Sequence, residues 1–288
     1  MMRASVTKKD LILPKRDKES YKGQNGRLLV IGGSVMYAGA PLLCAQAALR
    51  SGCDYVTVVT VERVGWSINA QDPNIVVRMV KGNYITLFSY SKIRPAIDDH
   101  DVVLIGNGMT KRSLAVIQKI ISYCVKEKKK VVIDADAIGC LSLNKLVGCL
   151  LTPHAGEFEL ISNEVCTGAM NSNVVIKKGP IDSIYHDKGI VHNTTGDAGM
   201  TVAGSGDALA GFCAGLMAQG LTLFDAAKTG CYLFGKAGER LYKERWYGYI
   251  ATDLIDTIPV IIKEYANSKS GTNDYDNKHN NKTKRKAR

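Results

Sequence analysis

The chain has 288 residues, 23% charged and 45% hydrophobic. That is ordinary globular composition, enough for one large α/β domain or two smaller ones. No run approaches the ~18 apolar residues of a membrane span, and the N-terminal MMRASVTKKDLILPKRDKE lacks an apolar core of signal-peptide length, so neither a membrane nor a secretory protein is expected. The net charge of +11 is uneven: residues 267–288 hold five Lys and two Arg against two Asp, which reads as a disordered basic tail behind a single domain over 1–266.

After the polar N-terminal segment, Arg27–Ile31 (RLLVI) reads as a short buried strand running into Gly32-Gly33-Ser34. An alanine-rich helix follows, with Pro41 in its first turn and Gly52 as its stop. Asp54–Val61 is β-branched and strand-like. Further strands are predicted at Ile75–Val80, Val102–Ile105, Val131–Ile133, Leu150–Leu151 and Val174–Ile176, with helices such as Ser113–Lys126 between most of them. Continuous Val/Ile/Leu runs alternating with helices predict a mainly parallel sheet covered on both faces. A hairpin is expected around His186–Gly189, and helices over 206–219, 222–244 and 252–266.

The eight cysteines form no CxxC pair and mostly sit among apolar neighbours. They read as buried small hydrophobes in a reducing cytoplasm.

In open α/β sheets, ligands bind beyond the carboxyl ends of the strands, and the polar clusters fall there. Gly106-Asn107-Gly108 follows VVLI, Asp134-Ala135-Asp136 follows VVI, Thr152–Glu157 (TPHAGE) follows LL, and Lys177-Lys178-Gly179 follows the next VVI. The densest signal is NTTGDAGMTVAGSGDALAGFCAGLMAQG, residues 193–220. It is a glycine-rich loop that becomes a helix of small apolar residues, whose first free amides form an anion site. Asp207 sits at the junction. One reading makes it a helix N-cap; the other makes it a base aimed at a hydroxyl that must reach a phosphoryl group held by Gly204, Ser205 and Gly206.

These segments also carry a family resemblance. GGSVMYAGAPLLCAQAALRSGCDYVTVV, LTPHAGEFELI, VVIKKG and the 193–220 stretch resemble, in order over about residues 27–245, the signatures of the NAD(P)H-hydrate dehydratases. These are repair enzymes related to ribokinase-like small-molecule kinases. The resemblance implies a ribokinase-like three-layer α/β/α fold and an ATP- or ADP-driven dehydration of hydrated NADH or NADPH. It places substrate along Ala40, Gly106, Gly108 and His154 with Asp207 at the reacting hydroxyl. The nucleotide would lie along Lys178, Gly179, Pro180, Ile181 and Asp182 and against Gly204, Ser205 and Gly206. It sets Glu157 where superfamily kinases keep an acid near magnesium, reaching Mg2+ through bound water; an exposed first-turn acid is the plain alternative. For His154 the alternative is a core histidine satisfied by a backbone carbonyl.

Three departures are visible. Pro180-Ile181-Asp182 replaces the usual small residues, Thr110 stands for the third glycine of a GxGxG turn, and Ser162–Asn173 is shorter than the family's helical insertion. With no epimerase domain in this sequence, a separate epimerase is the expected functional partner, and a homo-oligomer is expected. A membrane is not expected as a partner, nor is nucleic acid. Two other readings compete: a vitamin-precursor kinase of the same superfamily, and a catalytically silent nucleotide-binding protein whose basic tail engages RNA.

Overall fold

In the computed structural model, which describes residues 5–269, each predicted run becomes an element. The strands are β1 (Arg27–Ile31), β2 (Tyr55–Val61), β3 (Val76–Val80), β4 (Val102–Ile105), β5 (Lys130–Ile133), β6 (Cys149–Leu151), β7 (Val174–Lys177), β8 (Asp182–His186) and β9 (Gly189–Asn193). The helices are α1 (Gly39–Arg50), α2 (Glu62–Gln71), α3 (Tyr90–Asp98), α4 (Leu114–Lys126), α5 (Ala155–Phe158), α6 (Ser162–Cys166), α7 (Ser205–Ala218), α8 (Leu223–Arg245) and α9 (Ala251–Lys269).

The strands form one sheet in the order β3-β2-β1-β4-β5-β6-β7-β8-β9. β1 to β7 pair in parallel, and β8 and β9 add an antiparallel edge. The β8–β9 hairpin closes at the His186–Gly189 pair, so the expected turn is present. The chain runs outward from β1 to β3 and then returns to the other side of β1 at β4. That reversal is a topological switch point, where neighbouring connections lie on opposite faces and leave a crevice. Helices cover both faces of this sheet.

The core explains the strand composition. Every residue of β4 is buried, as are Leu28 to Ile31 of β1 and Val56, Val58, Val59 and Val61 of β2. A strand covered on both faces favours apolar side chains at every position, which is why these runs do not alternate, the buried Thr57 and Thr60 of β2 being exceptions. Helix α7 is buried from Ala208 to Met217 and carries no charge beyond its first turn. A helix apolar all round must lie inside, and α7 packs against α1, α8 and α9 while touching β1, β4 and β5.

Small residues set how closely α7 approaches α1. A methyl on Gly211 would run into the Cys44 carbonyl, and one on Gly215 into the Ser51 hydroxyl. This contact matters for function because it fixes where the N-terminus of α7 lies over the ends of the central strands.

Two expectations need correction. Cys166 is exposed, unlike most of the other cysteines. Helix α9 continues to Lys269, taking in the first three residues read as tail, and the rest of that segment lies outside the described residues.

Gly211→Val should therefore lower the melting temperature by several degrees, because overpacking a tight contact costs about 1–3 kcal/mol. Gly220→Ala is the control, since a side chain there meets no atom within 4 Å and only its φ of +102° is strained. Thermal unfolding of the pair checks this; equal stability of Gly211→Val and the parent would contradict the packing described.

Candidate active site

The parallel register sets the crevice floor at one level. Ile31 pairs with Ile105, Ile105 with Ile133, and Ile133 with Leu151. The next residues, Gly32, Gly106, Asp134 and Thr152, therefore emerge side by side at the carboxyl edge. Gly106 adopts φ +123°, and any side chain there would strike the Asp134 carbonyl, so only glycine lets the two turns pass.

Above this floor hangs the N-terminus of α7. Gly204 caps it with φ +87°, and the cap makes no side-chain hydrogen bond. Asp207 is thus the third helical residue, not the N-cap. Its carboxylate Oδ1 accepts a 2.6 Å hydrogen bond from Nδ2 of Asn107, one hundred positions earlier in the chain. The same Nδ2 donates to Asp134 Oδ2 at 2.8 Å, and Lys178 Nζ donates to Asp134 Oδ1 at 3.0 Å. The result is a continuous chain of contacts from Asp207 through Asn107 and Asp134 to Lys178.

Lys178 also lies beside the helix terminus: a methyl on Gly206 would sit 3.2 Å from its ammonium. The Ser205 amide is spent on the Val202 carbonyl at 3.2 Å. Among the described residues the amides of Gly206 and Asp207 find no protein acceptor. An ammonium and two free amides converge there, as an anion requires.

Electrostatics separates the acids. Burial pushes the Asp207 carboxyl up to about 6; the Asn107 hydrogen bond and Lys178 oppose this, while the Asp134 and Glu157 charges add to it. Burial works against the charge on Lys178, but Asp134, Glu157 and Asp207 together hold it above the ordinary lysine value. A carboxyl raised this far can exchange a proton near neutrality.

The model of the NAD(P)H-hydrate dehydratase family matches residues 28–260, nearly the whole described chain. The chain belongs to that family. The bifunctional NAD(P)H-hydrate repair enzyme Nnr of Methanothermobacter thermautotrophicus is 35% identical over 88% of the chain but only 52% of its own length. The chain spans about half the length of such bifunctional relatives. The ADP-dependent (S)-NAD(P)H-hydrate dehydratase of Cenarchaeum symbiosum is 30% identical over 88% of the chain and 94% of its own. Among solved structures, the ADP/ATP-dependent NAD(P)H-hydrate dehydratase of Bacillus subtilis, co-crystallized with ATP/Mg2+, superposes with a TM-score of 0.79 at 26% identity, covering 92% of this chain and 99% of that one.

Ala40 and Gly108 meet at the mouth of the crevice, where a methyl on Gly108 would lie 3.3 Å from the Ala40 side chain. Gly106, Lys178, Gly204, Gly206 and Asp207 surround the same crevice. His154 is not the core histidine of the alternative reading. It is an exposed N-cap of α5: Nδ1 accepts from the amides of Gly156 and Glu157 at 3.0 and 3.2 Å. With Nδ1 an acceptor, a neutral imidazole carries its proton on Nε2, which lies 3.3 Å from Glu157 Oε1.

Glu157 is neither free nor exposed. Its Oε2 accepts from the His154 amide at 2.9 Å, completing a capping box. Among the described residues no group of three or more His, Cys, Asp or Glu could hold a metal ion.

The Gly179–Asp182 turn is closed by its own acid. Asp182 accepts from the Gly179 amide at 3.2 Å and from Asn193 Nδ2 at 3.1 Å, and burial pushes its carboxyl up. Its carboxylate thus serves the turn, leaving Pro180 and Ile181 exposed at the tip. Thr110 keeps the φ of +70° that a glycine would adopt; its amide is tied to Asp136 Oδ2 at 3.0 Å.

Two members of the cluster, Asn107 and Asp134, were visible in the sequence only as strand-end polar residues. Their signal was position: each is the first or second residue beyond a buried strand.

An acid whose folded-state pKa lies above its unfolded value costs stability when it ionises. For Asp207 that cost grows as pH rises from about 4 to about 6 and stays at its full value above, on the order of 3 kcal/mol for a two-unit shift. Asp207→Asn keeps an acceptor for Asn107 and removes the charge. It should melt several degrees above the parent at pH 8, with the gain vanishing near pH 4. Calorimetry across that range checks the sign; a variant less stable than the parent at pH 8 would contradict it.

Proposed function

We propose that this chain uses ATP or ADP to dehydrate hydrated NADH or NADPH, with Asp207 as the base. The observation that supports it is the adjacency of a half-buried carboxyl with a pKa raised to about 6 to an ammonium and two unengaged helix-terminal amides. A base and a phosphoryl pocket are then within one helical turn of each other.

The hydrate's ring hydroxyl is a poor leaving group. Asp207 takes its proton as the oxygen bonds to the terminal phosphorus of the nucleotide and the donor's P–O bond breaks, leaving ADP from ATP or AMP from ADP. The ring nitrogen's lone pair then expels phosphate by breaking the C–O bond, and loss of a proton from the neighbouring carbon restores the dihydropyridine. Lys178 and the Gly206 and Asp207 amides supply fixed positive charge where charge develops on the phosphoryl oxygens, which is the largest catalytic contribution in such transfers. The cradle fits a phosphate because Gly206 has no side chain to fill it.

Magnesium, when bound with the nucleotide, neutralises phosphate charge. Glu157 faces Lys178 electrostatically, but its carboxylate is already engaged in the α5 cap, so it suits contact through water better than direct ligation. His154, at the exposed start of α5, is assigned to the substrate side together with Ala40, Gly106 and Gly108. Pro180 and Ile181 form the rim on the nucleotide side. An epimerase activity that converts the other hydrate epimer complements this chemistry. A superfamily kinase would use the same base and pocket; family membership favours the dehydratase.

The direct test is incubation with NADH hydrate and either ATP or ADP, following the return of dihydronicotinamide absorbance. Nucleotide-dependent recovery is expected, with Asp207→Asn slower by about a hundredfold or more. Recovery without nucleotide, or undiminished in the variant, would overturn the proposal.

His154→Asn separates cap from contact, because asparagine is a good N-cap but cannot place a donor where the imidazole Nε2 lies. It should keep the melting temperature and raise the KM for the hydrate several-fold with the nucleotide KM unchanged. Steady-state kinetics in both substrates decide it; an unchanged hydrate KM would remove His154 from the substrate site.

A further inference from the structure

Asn107 is fully buried and its amide is used in an uncommon way. Both Nδ2 hydrogens go to carboxylates, one to Asp207 and one to Asp134, while its Oδ1 is buried without a donor. The orientation is forced, since the flipped amide would set its oxygen against two carboxylates. A buried carbonyl without a donor destabilises the fold, and an apolar side chain would not carry that cost. Packing alone does not account for the residue.

The surroundings show what the amide supplies. Asp134 already has the Lys178 ammonium on its other oxygen. Among the described residues, Asn107 is the only side chain that donates a hydrogen bond to Asp207. The charged and titratable groups facing Asp207 are Asp134 on the β5 end, Glu157 on α5, Lys178 after β7 and the buried Cys44 on α1. Two of these are carboxylates that resist its ionisation, and the one cation is committed to Asp134.

We infer that Asn107 is the positioning residue for the base: it pins Asp207 Oδ1 so that Oδ2 faces the substrate hydroxyl, and it keeps the carboxylate ionised at neutral pH among its acidic neighbours. Through Asp134, the same amide links the base to Lys178, so the hydroxyl-activating and phosphate-binding halves of the site share one rigid hydrogen-bonded unit. Asn107 transfers no proton itself. The inference rests on the reading of Asp207 as the base.

The test is the pH profile of kcat/KM for the hydrate, with Asp207→Asn measured alongside. The parent should lose activity on the acid side with an inflection near the Asp207 value of about 6. Asn107→Leu removes the donor at nearly constant shape. Its acid limb should move up by about one pH unit, so that activity falls roughly fivefold at pH 6 and is nearly unchanged at pH 9. Nucleotide affinity, measured by calorimetry, should be unchanged. Asn107→Asp, of the same shape with an added negative charge, should move the limb further. If the leucine variant does not fold, Asn107→Ser, with a single donor that can serve one carboxylate, should show a smaller upward shift. Limbs that stay in place in the folded variants, with any loss equal at all pH values, would overturn the inference while leaving Asp207 as base. An active Asp207→Asn would instead remove the reading on which it rests.

Discussion

The site depends on one constraint: three carboxylates, Asp207, Asp134 and Glu157, must share a poorly solvated corner with a single ammonium. Lys178 satisfies Asp134 at 3.0 Å, Glu157 is occupied by the α5 cap, and Asp207 is left with one neutral donor and a carboxyl pushed up to about 6. Like charges in low dielectric cannot all ionise freely, and the one with the weakest support is the one proposed as the base. The chemistry of the site follows from that imbalance.

The fold exists around this corner in a literal sense. The parallel register brings four strand ends level, the reversal between β1 and β4 opens the crevice, and the close α1–α7 crossing carries the first turn of α7 over it. The absence of a side chain at Gly206 lets Lys178 approach the helix terminus, and its absence at Gly106 lets the Asn107 turn pass the Asp134 carbonyl. Each of these positions would be destabilised by the residues that ordinarily suit a helix or a turn.

Much of this was legible in the sequence because it follows from local pattern. Unbroken Val/Ile/Leu runs marked the buried parallel strands, and the polar residues after them marked the crevice. What could not be read were pairings across long separations. Nothing local says that Asn107 reaches Asp207, or that the oxygens of Asp134 are divided between Asn107 and Lys178. His154 was read as either a crevice or a core residue, because an imidazole accepting from the amides two and three residues ahead is a matter of rotamer, not spacing. Nor does anything local show that the Asp182 carboxylate, expected on the nucleotide side, also closes its own turn. Thr110, which departs from the GxGxG pattern, retains the glycine-like backbone because the Asp136 contact and the turn on either side hold it there.

The most direct measurement follows the oxygen. With the ring hydroxyl of the hydrate carrying a heavy-oxygen label, activation of that hydroxyl by Asp207 and its transfer to phosphorus place the label in the inorganic phosphate released with each dihydropyridine formed. Mass spectrometry of the phosphate should find one labelled oxygen per turnover, with either ATP or ADP as donor. Label recovered in water, with unlabelled phosphate, would mean that the hydroxyl leaves without ever being phosphorylated and would contradict the account.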